Sequence, residues 1–223
     1  MSFTLYNYVL SGNCYKVRLL AALLGVSYDT VNIDFYPGEA HKSLEMLAIN
    51  PAGTIPVLKT DDMVLTESQA MLGWLAKRFD ESGQWWPTDD VLKMTEVMQW
   101  LAFSTRLSST IGEARLHAML KFEVDLPAAL AGATIALREL ESHLFEQGLK
   151  HSQWLVGDKP TIADIACFPY VALSPDASIE HDAYPAIRAW LYAVKSLDGF
   201  VAMPGIFELH EKRASQAEPE KTI

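Results

Sequence analysis

Three short stretches in the first seventy residues carry groups that could hold or stabilise charge. The first is Ser11-Gly12-Asn13-Cys14, lying between an aromatic-rich strand pattern and a helical one. A hydroxyl at a helix N-terminus sits among unpaired N–H donors and the positive end of the dipole, and both favour an anion such as a thiolate. Ser11 is equally suited to be a plain N-cap accepting from the Cys14 N–H, with Asn13 as loop and Cys14 as small core filler. The second stretch is Thr66-Glu67-Ser68-Gln69. Thr66 and Gln69 fit a capping box. Glu67 and Ser68 would then stand in a first turn, the acid suited to an ammonium and the hydroxyl and free N–H groups to a carboxylate. Together they match the head of a free amino acid. The third is Asn50-Pro51-Ala52-Gly53-Thr54-Ile55-Pro56-Val57-Leu58, where a proline starts a strand. Proline cannot donate to a sheet ladder, so it belongs at a first residue, an edge or a bulge. Only ~5% of X-Pro bonds are cis in folded proteins. A cis Ile55-Pro56 bond would leave the Ile55 backbone open to an extended peptide laid antiparallel beside it. A peptide with a thiol near Ser11 and an amino-acid head near Glu67 and Ser68 is a γ-glutamyl tripeptide, glutathione.

The surrounding elements change period part-way along the chain. Phe3 to Tyr8 reads as a strand, and Cys14, Val17, Leu20, Ala21 and Leu24 recur at helical spacing up to Gly25. Val31, Ile33 and Phe35 alternate with Thr30, Asn32 and Asp34, which is strand period. A short helix is expected around His41 to Ala48, then a hairpin of Pro56–Lys59 and Met63–Leu65 across Asp61-Asp62, then a helix over Thr66 to Phe79. This order allows one parallel strand pair and an antiparallel edge. Asp80 to Asp89 is polar, contains Gly and Pro, and reads as a linker. Beyond it, helical patterns cover Val91–Met119, Leu126–Gln147 (apolar at Leu130, Ile135, Leu137, Leu140 and Leu144), Thr161–Leu173 and Tyr184–Leu197. The expected class is α/β plus all-α: a domain over residues 1–80 and a helical domain over residues 89–207, with a polar tail from Glu208 onward.

Composition narrows the function classes. The chain has 223 residues, half of them hydrophobic, and a net charge of −10. That charge argues against a nucleic-acid binder and against a polybasic membrane-surface protein. No apolar run reaches the ~20 residues that span a bilayer. The opening MSFTLYNYVLSGN has no basic region ahead of an apolar one, so no secretory signal is expected. The two cysteines, Cys14 and Cys167, form no CxxC pair, which fits a reducing cytoplasm and neither structural zinc nor a disulfide framework. No Gly-rich phosphate loop and no ligand cluster is present, so no metal and no nucleotide is expected.

Along nearly all of its length the sequence resembles the cytosolic glutathione transferases. NPAGTIPVL followed by LTESQAM is similar to their glutathione site, WLVGDKPTIADIACFPYV to a capped helix of their second domain (Thr161 and Asp164 in the box), and YPAIRAWLYAVKSLDGFVAMPG to their closing segment. The resemblance implies a thioredoxin-like first domain, a second-substrate pocket formed by the helical domain, and a homodimer in the cytoplasm. It implies that Pro56 is cis, that Thr54, Ile55 and Pro56 meet the cysteinyl backbone, that Glu67 and Ser68 hold the γ-glutamyl head, and that Lys42 meets the glycyl carboxylate. SGNCYKV resembles the SxPCRxV pattern of serine-type transferases, which makes Ser11 the group facing the thiolate. It also resembles the TPNGxKV pattern of a subgroup that uses glutathione to reduce disulfides, which adds Asn13 as a donor. Asn13 replaces the proline of the first pattern and Cys14 the glycine of the second. With no thiol at position 11, dithiol exchange is excluded, and Cys14 is expected to be buried. Trp100, Phe103, Arg106 and Arg115 are expected to line the pocket for the electrophile. The expected activity is transfer of glutathione to a small hydrophobic electrophile. Glutathione-dependent disulfide reduction on the same site, glutathione-dependent dehalogenation or isomerisation, and a non-enzymatic binding or regulatory role remain as alternatives.

Overall fold

The computed structural model describes residues 2–209. The tail read from the sequence as polar lies almost wholly outside that range. Four strands, β1 (Thr4–Asn7), β2 (Asp29–Asn32), β3 (Val57–Lys59) and β4 (Val64–Leu65), form one sheet in the order β2-β1-β3-β4. β1 runs parallel to β2 (Leu5 opposite Thr30) and antiparallel to β3 (Leu5 opposite Leu58), and β4 closes the antiparallel hairpin. Helix α1 (Gly12–Leu23) makes the crossover between the parallel strands, and α3 (Ser68–Phe79) packs beside it. This is the thioredoxin-like arrangement expected.

The local differences have physical causes. The helix expected over His41 to Ala48 is split into a 3₁₀ turn, Ala40–Lys42, and α2, Leu44–Ile49, because Ser43 is extended and caps α2 through its hydroxyl and the Met46 N–H. The strand expected over Tyr28 to Phe35 keeps its ladder only over Asp29–Asn32; as a sheet edge it is exposed throughout, and Ile33 just beyond it turns inward.

α4 (Val91–Leu107) begins the helical domain after the Asp80–Asp90 segment, with Asp90 as its N-cap. The helical path continues through a π turn at Ser108–Gly112 into α5 (Glu113–Leu120). Then come α6 (Leu126–Leu149), α7 (Ile162–Ala172) and α8 (Pro185–Lys195). In α6 the buried face carries Ala129, Ala133, Ala136, Leu137, Leu140 and Leu144. Leu130 and Ile135, apolar positions of the same pattern, are exposed, because they fall outside the i, i+4, i+7 stripe that runs from Ala129 through Ala133 and Ala136 to Leu140.

α7 is the axis of the domain. It packs against α4 and, across the domain boundary, against α1 and α3. The Thr161 hydroxyl accepts from the Ala163 N–H, and the Asp164 carboxylate accepts from the N–H groups of Thr161 and Leu155 and from the indole of Trp190 at 2.8 to 3.0 Å. Burial still pushes the Asp164 carboxyl up to about 6, against the pull of these bonds. A single apolar cluster runs from Leu5, Leu20, Leu58 and Leu72 to Val97, Leu137, Phe168 and Trp190, so the two domains share one core.

Candidate functional site

The turn from β1 into α1 puts Ser11 at the N-cap, where its hydroxyl accepts from the Cys14 N–H at 3.2 Å. Ser11 is still only half-buried, so a capping hydroxyl and a ligand-facing one are the same group here. Cys14 is fully buried; its sulfur accepts from the Tyr8 N–H, and burial pushes its thiol up, partly offset by the Ser11 and Tyr8 bonds. It offers no reactive sulfur to the surface.

Ser11, Gly12 and Asn13 open into a cleft of about 190 Å³. The first domain lines it with Tyr8, Leu10, Phe35 and Ile55; the helical domain adds Ser108, Gly112, Arg115, Leu116, Met119, Leu120 and Tyr170. It is therefore polar at the α1 end and apolar along α5. The Asn13 Oδ1 is buried in the wall without a hydrogen-bond partner.

Ile55 reaches the cleft from the loop before β3. The loop is closed by Asn50, whose amide donates to the carbonyl and hydroxyl of Thr54 while its Oδ1 accepts from the Ala52 N–H. The Ile55–Pro56 bond is cis, as is Tyr36–Pro37. Pro56 is buried behind Ile55 and Thr54 is exposed. No hydrogen bond occupies the backbone of Ile55 among the described residues, as a docking edge requires.

Glu67 and Ser68 stand at the start of α3, outside the lining of the cleft. Here the expected capping box gives way. Glu67 occupies the N-cap without capping through its side chain, and Thr66 precedes it. Gln69 has tertiary partners instead: its Nε2 donates to the hydroxyls of Ser104 and Thr105 on α4, and its Oε1 accepts from the Ser68 hydroxyl. Glu67 is exposed and Ser68 buried. Lys42 is an exposed side chain paired with Glu39 at 2.6 Å.

Three of the four residues expected at the second-substrate pocket lie elsewhere. Trp100, Phe103 and Arg106 form an i, i+3, i+6 stripe on the other side of α4. Trp100 and Phe103 are buried against each other and His143, and Arg106 lies over the Phe103 ring and pairs with Glu139 of α6. The stripe is core and surface between α4 and α6, because an aromatic row at this spacing buries against the nearest helix first. Arg115 does line the cleft. It is buried, donates from Nε to Asp176 at 2.7 Å and from Nη1 to the Leu10 carbonyl at 2.8 Å, and so ties α5 to the loop before Ser11; its Nη2 has no partner.

Tyr170 escaped the sequence reading. Its ring lies so close to two glycines that a Cβ at Gly12 would meet its Cζ at 3.0 Å and one at Gly112 its Cε1 at 2.9 Å. The clue is a ring with a polar tip in a run, IADIACFPYVA, whose one charged side chain, Asp164, is already used by the cap. Lys16, one turn into α1, is fully buried with its Nζ 5.3 Å from the Tyr170 centroid and without a hydrogen bond. Burial lowers its pKa to about 8, with Cys167 and Glu67 acting the other way. Among the described residues no group of three or more His, Cys, Asp or Glu is gathered as a metal site, and no helix is long and apolar enough to cross a membrane.

Residues 5–83 match the family model of the glutathione S-transferase N-terminal domain, and residues 126–192 match that of the C-terminal domain. A possible glutathione S-transferase from Rhodopseudomonas palustris superposes with a TM-score of 0.81 at 32% identity, over 91% of this chain and 98% of that one. Glutathione S-transferase 2 of Schizosaccharomyces pombe is 32% identical over 172 residues, covering 75% of this chain and 74% of its own. Ure2p in complex with glutathione superposes with a TM-score of 0.77 at 27% identity, over 89% of this chain and 96% of that one. The chain belongs to the glutathione S-transferase family.

Proposed function

We propose that the protein binds glutathione and transfers its sulfur to a small apolar electrophile. The observation that carries this reading is the cleft itself: the Ser11 hydroxyl at the α1 N-terminus faces an apolar wall of Leu116, Met119 and Leu120, with the open Ile55 edge beside it. Ile55 meets the cysteinyl backbone, flanked by Thr54 and Pro56; Glu67 and Ser68 hold the γ-glutamyl head, and Lys42 is in reach of the glycyl carboxylate once it leaves Glu39. A free thiol has a pKa of about 8.5. A hydrogen bond from Ser11 and the N–H groups of α1 favour the charged sulfur. The thiolate forms the new S–C bond, the leaving group departs with its electron pair, and the thiol proton goes to solvent.

Asn13 supports a second reading. Its side chain stands beside Ser11 in the cleft, and a second donor there also suits attack by glutathione on a mixed disulfide. Cys14 is buried, so the bound glutathione thiolate would itself attack the glutathione-side sulfur of the disulfide, forming oxidised glutathione and releasing the other sulfur as a thiolate.

Calorimetric titration of glutathione at neutral pH tests binding: saturation is expected, and no heat at millimolar glutathione with folded protein overturns the reading. Ultraviolet titration of the bound thiolate then tests Ser11. Ser11→Ala should raise the bound thiol's pKa with little loss of affinity; an unchanged pKa reduces Ser11 to a helix cap. Parallel assays with an aryl halide and a mixed disulfide separate transfer from reduction. The expected assembly is a homodimer in the cytoplasm, which sedimentation of the purified protein checks for stoichiometry.

A further inference from the structure

From the first domain, Ser11 at the α1 N-cap and Tyr8 at the end of β1 bring hydroxyl-bearing side chains to the cleft. The Tyr170 side chain reaches the α1 end of the cleft from the helical domain. The atom of Tyr170 closest to Gly12 is Cζ, the carbon that carries the hydroxyl, so the phenol oxygen lies over the first turn of α1. Ser11, Asn13 and Ser108 line the same cleft beside it. Two glycines, one from each domain, leave room for the ring on both sides, and the Lys16 ammonium lies over the ring inside the protein. The aromatic position is thereby over-determined, with the hydroxyl-bearing end of the ring against Gly12, between Ser11 and Asn13 in the chain.

We propose that the Tyr170 hydroxyl is a second donor to the glutathione sulfur, so that the thiolate is held by one hydroxyl from each domain. The inference rests on the glutathione reading above. A hydroxyl that lines the same cleft as the α1 N-terminus can add a hydrogen bond to an anion held there, and such a bond favours the charged form. Burial keeps the phenol in its protonated form, which is the form that donates. In the step itself the thiol proton leaves for solvent, the sulfur keeps its electron pair, and Tyr170 retains its proton throughout. The device also makes the site dependent on domain docking, because only the first-domain groups remain when α7 is displaced.

Tyr170→Phe tests this while keeping the ring between Gly12 and Gly112. Thiolate absorbance of bound glutathione is titrated against pH for the parent, Y170F, Ser11→Ala and the double variant, with calorimetric affinities for glutathione and S-methylglutathione. Y170F is expected to raise the bound thiol's pKa by roughly one unit. It should leave affinity for S-methylglutathione, which has no ionisable sulfur, within about threefold, and S11A/Y170F should raise the pKa further than either change alone. An unchanged thiol pKa in a Y170F protein that binds glutathione overturns the inference and leaves the glutathione reading standing. Equal weakening of glutathione and S-methylglutathione with no pKa change would make Tyr170 a packing residue, which also overturns it. A parent that binds no glutathione overturns both.

Discussion

An ammonium buried between two domains without a hydrogen bond is costly, and Lys16 is such a group. Its surroundings are the Tyr170 ring, Cys167 and, further off, Glu67. Its folded pKa, about 8, lies below the ordinary lysine value, so the unfolded chain holds the proton more tightly. The penalty is therefore full below about pH 8, shrinks as the pH rises, and vanishes above the unfolded value. Lys16→Met should raise the melting temperature at neutral pH, by up to about 3 kcal/mol in stability less the lost cation–π contact. The gain over the parent should close between about pH 8 and 10.5. A constant difference across that range would show that folding does not lower the pKa of Lys16. Ser11 and Asn13 were legible from the sequence because a strand pattern, a small polar turn and a helical pattern meet there. Lys16 and Tyr170 were not. Their significance depends on α7 crossing α1, and no local spacing in either helix encodes that contact.

At the level of single elements, α7 is the one whose start and role were both legible. Thr161 and Asp164 satisfy the box, and the buried run that follows matches a central helix. What the sequence could not display is that Asp164 also holds Leu155 and Trp190, bringing the preceding loop and α8 into the same cap. Asp164→Ala leaves several buried donors unpaired and should cost roughly 3 kcal/mol or more, measured by urea unfolding. A loss below about 1 kcal/mol would mean that water replaces the carboxylate. The α3 start misled for the opposite reason. Its Thr66 and Gln69 have the right spacing for a local box, but Gln69 has better partners on α4. The α4 stripe misled similarly, since Trp100, Phe103 and Arg106 share a face that buries against α6 instead of the cleft.

For the molecule as a whole, the fold class was legible because the period of the apolar residues changes near residue 80, while the seam between the halves was not. Across that seam run the Gln69 bonds to Ser104 and Thr105, the Arg115 bond to Leu10, and the packing of α7 on α1. Gln69→Ala should lower the melting temperature by about 2–4 °C, the effect of about 1 kcal/mol in a chain of this size. It should also weaken glutathione binding, because the Ser68 hydroxyl loses the amide that orients it. A normal melting temperature and normal affinity would make the link incidental. The glycines flanking Tyr170 have a consequence for descent. A methyl group would meet the ring at 3.0 Å from position 12 and at 2.9 Å from position 112, so either displaces it, and loss of the ring leaves space that a methyl group would fill. The three positions are thus a single inherited unit spread over distant parts of the chain. Relatives with a side chain in place of Gly12 should lack an aromatic ring in place of Tyr170, and the two changes should be found together in a lineage more often than either is found alone.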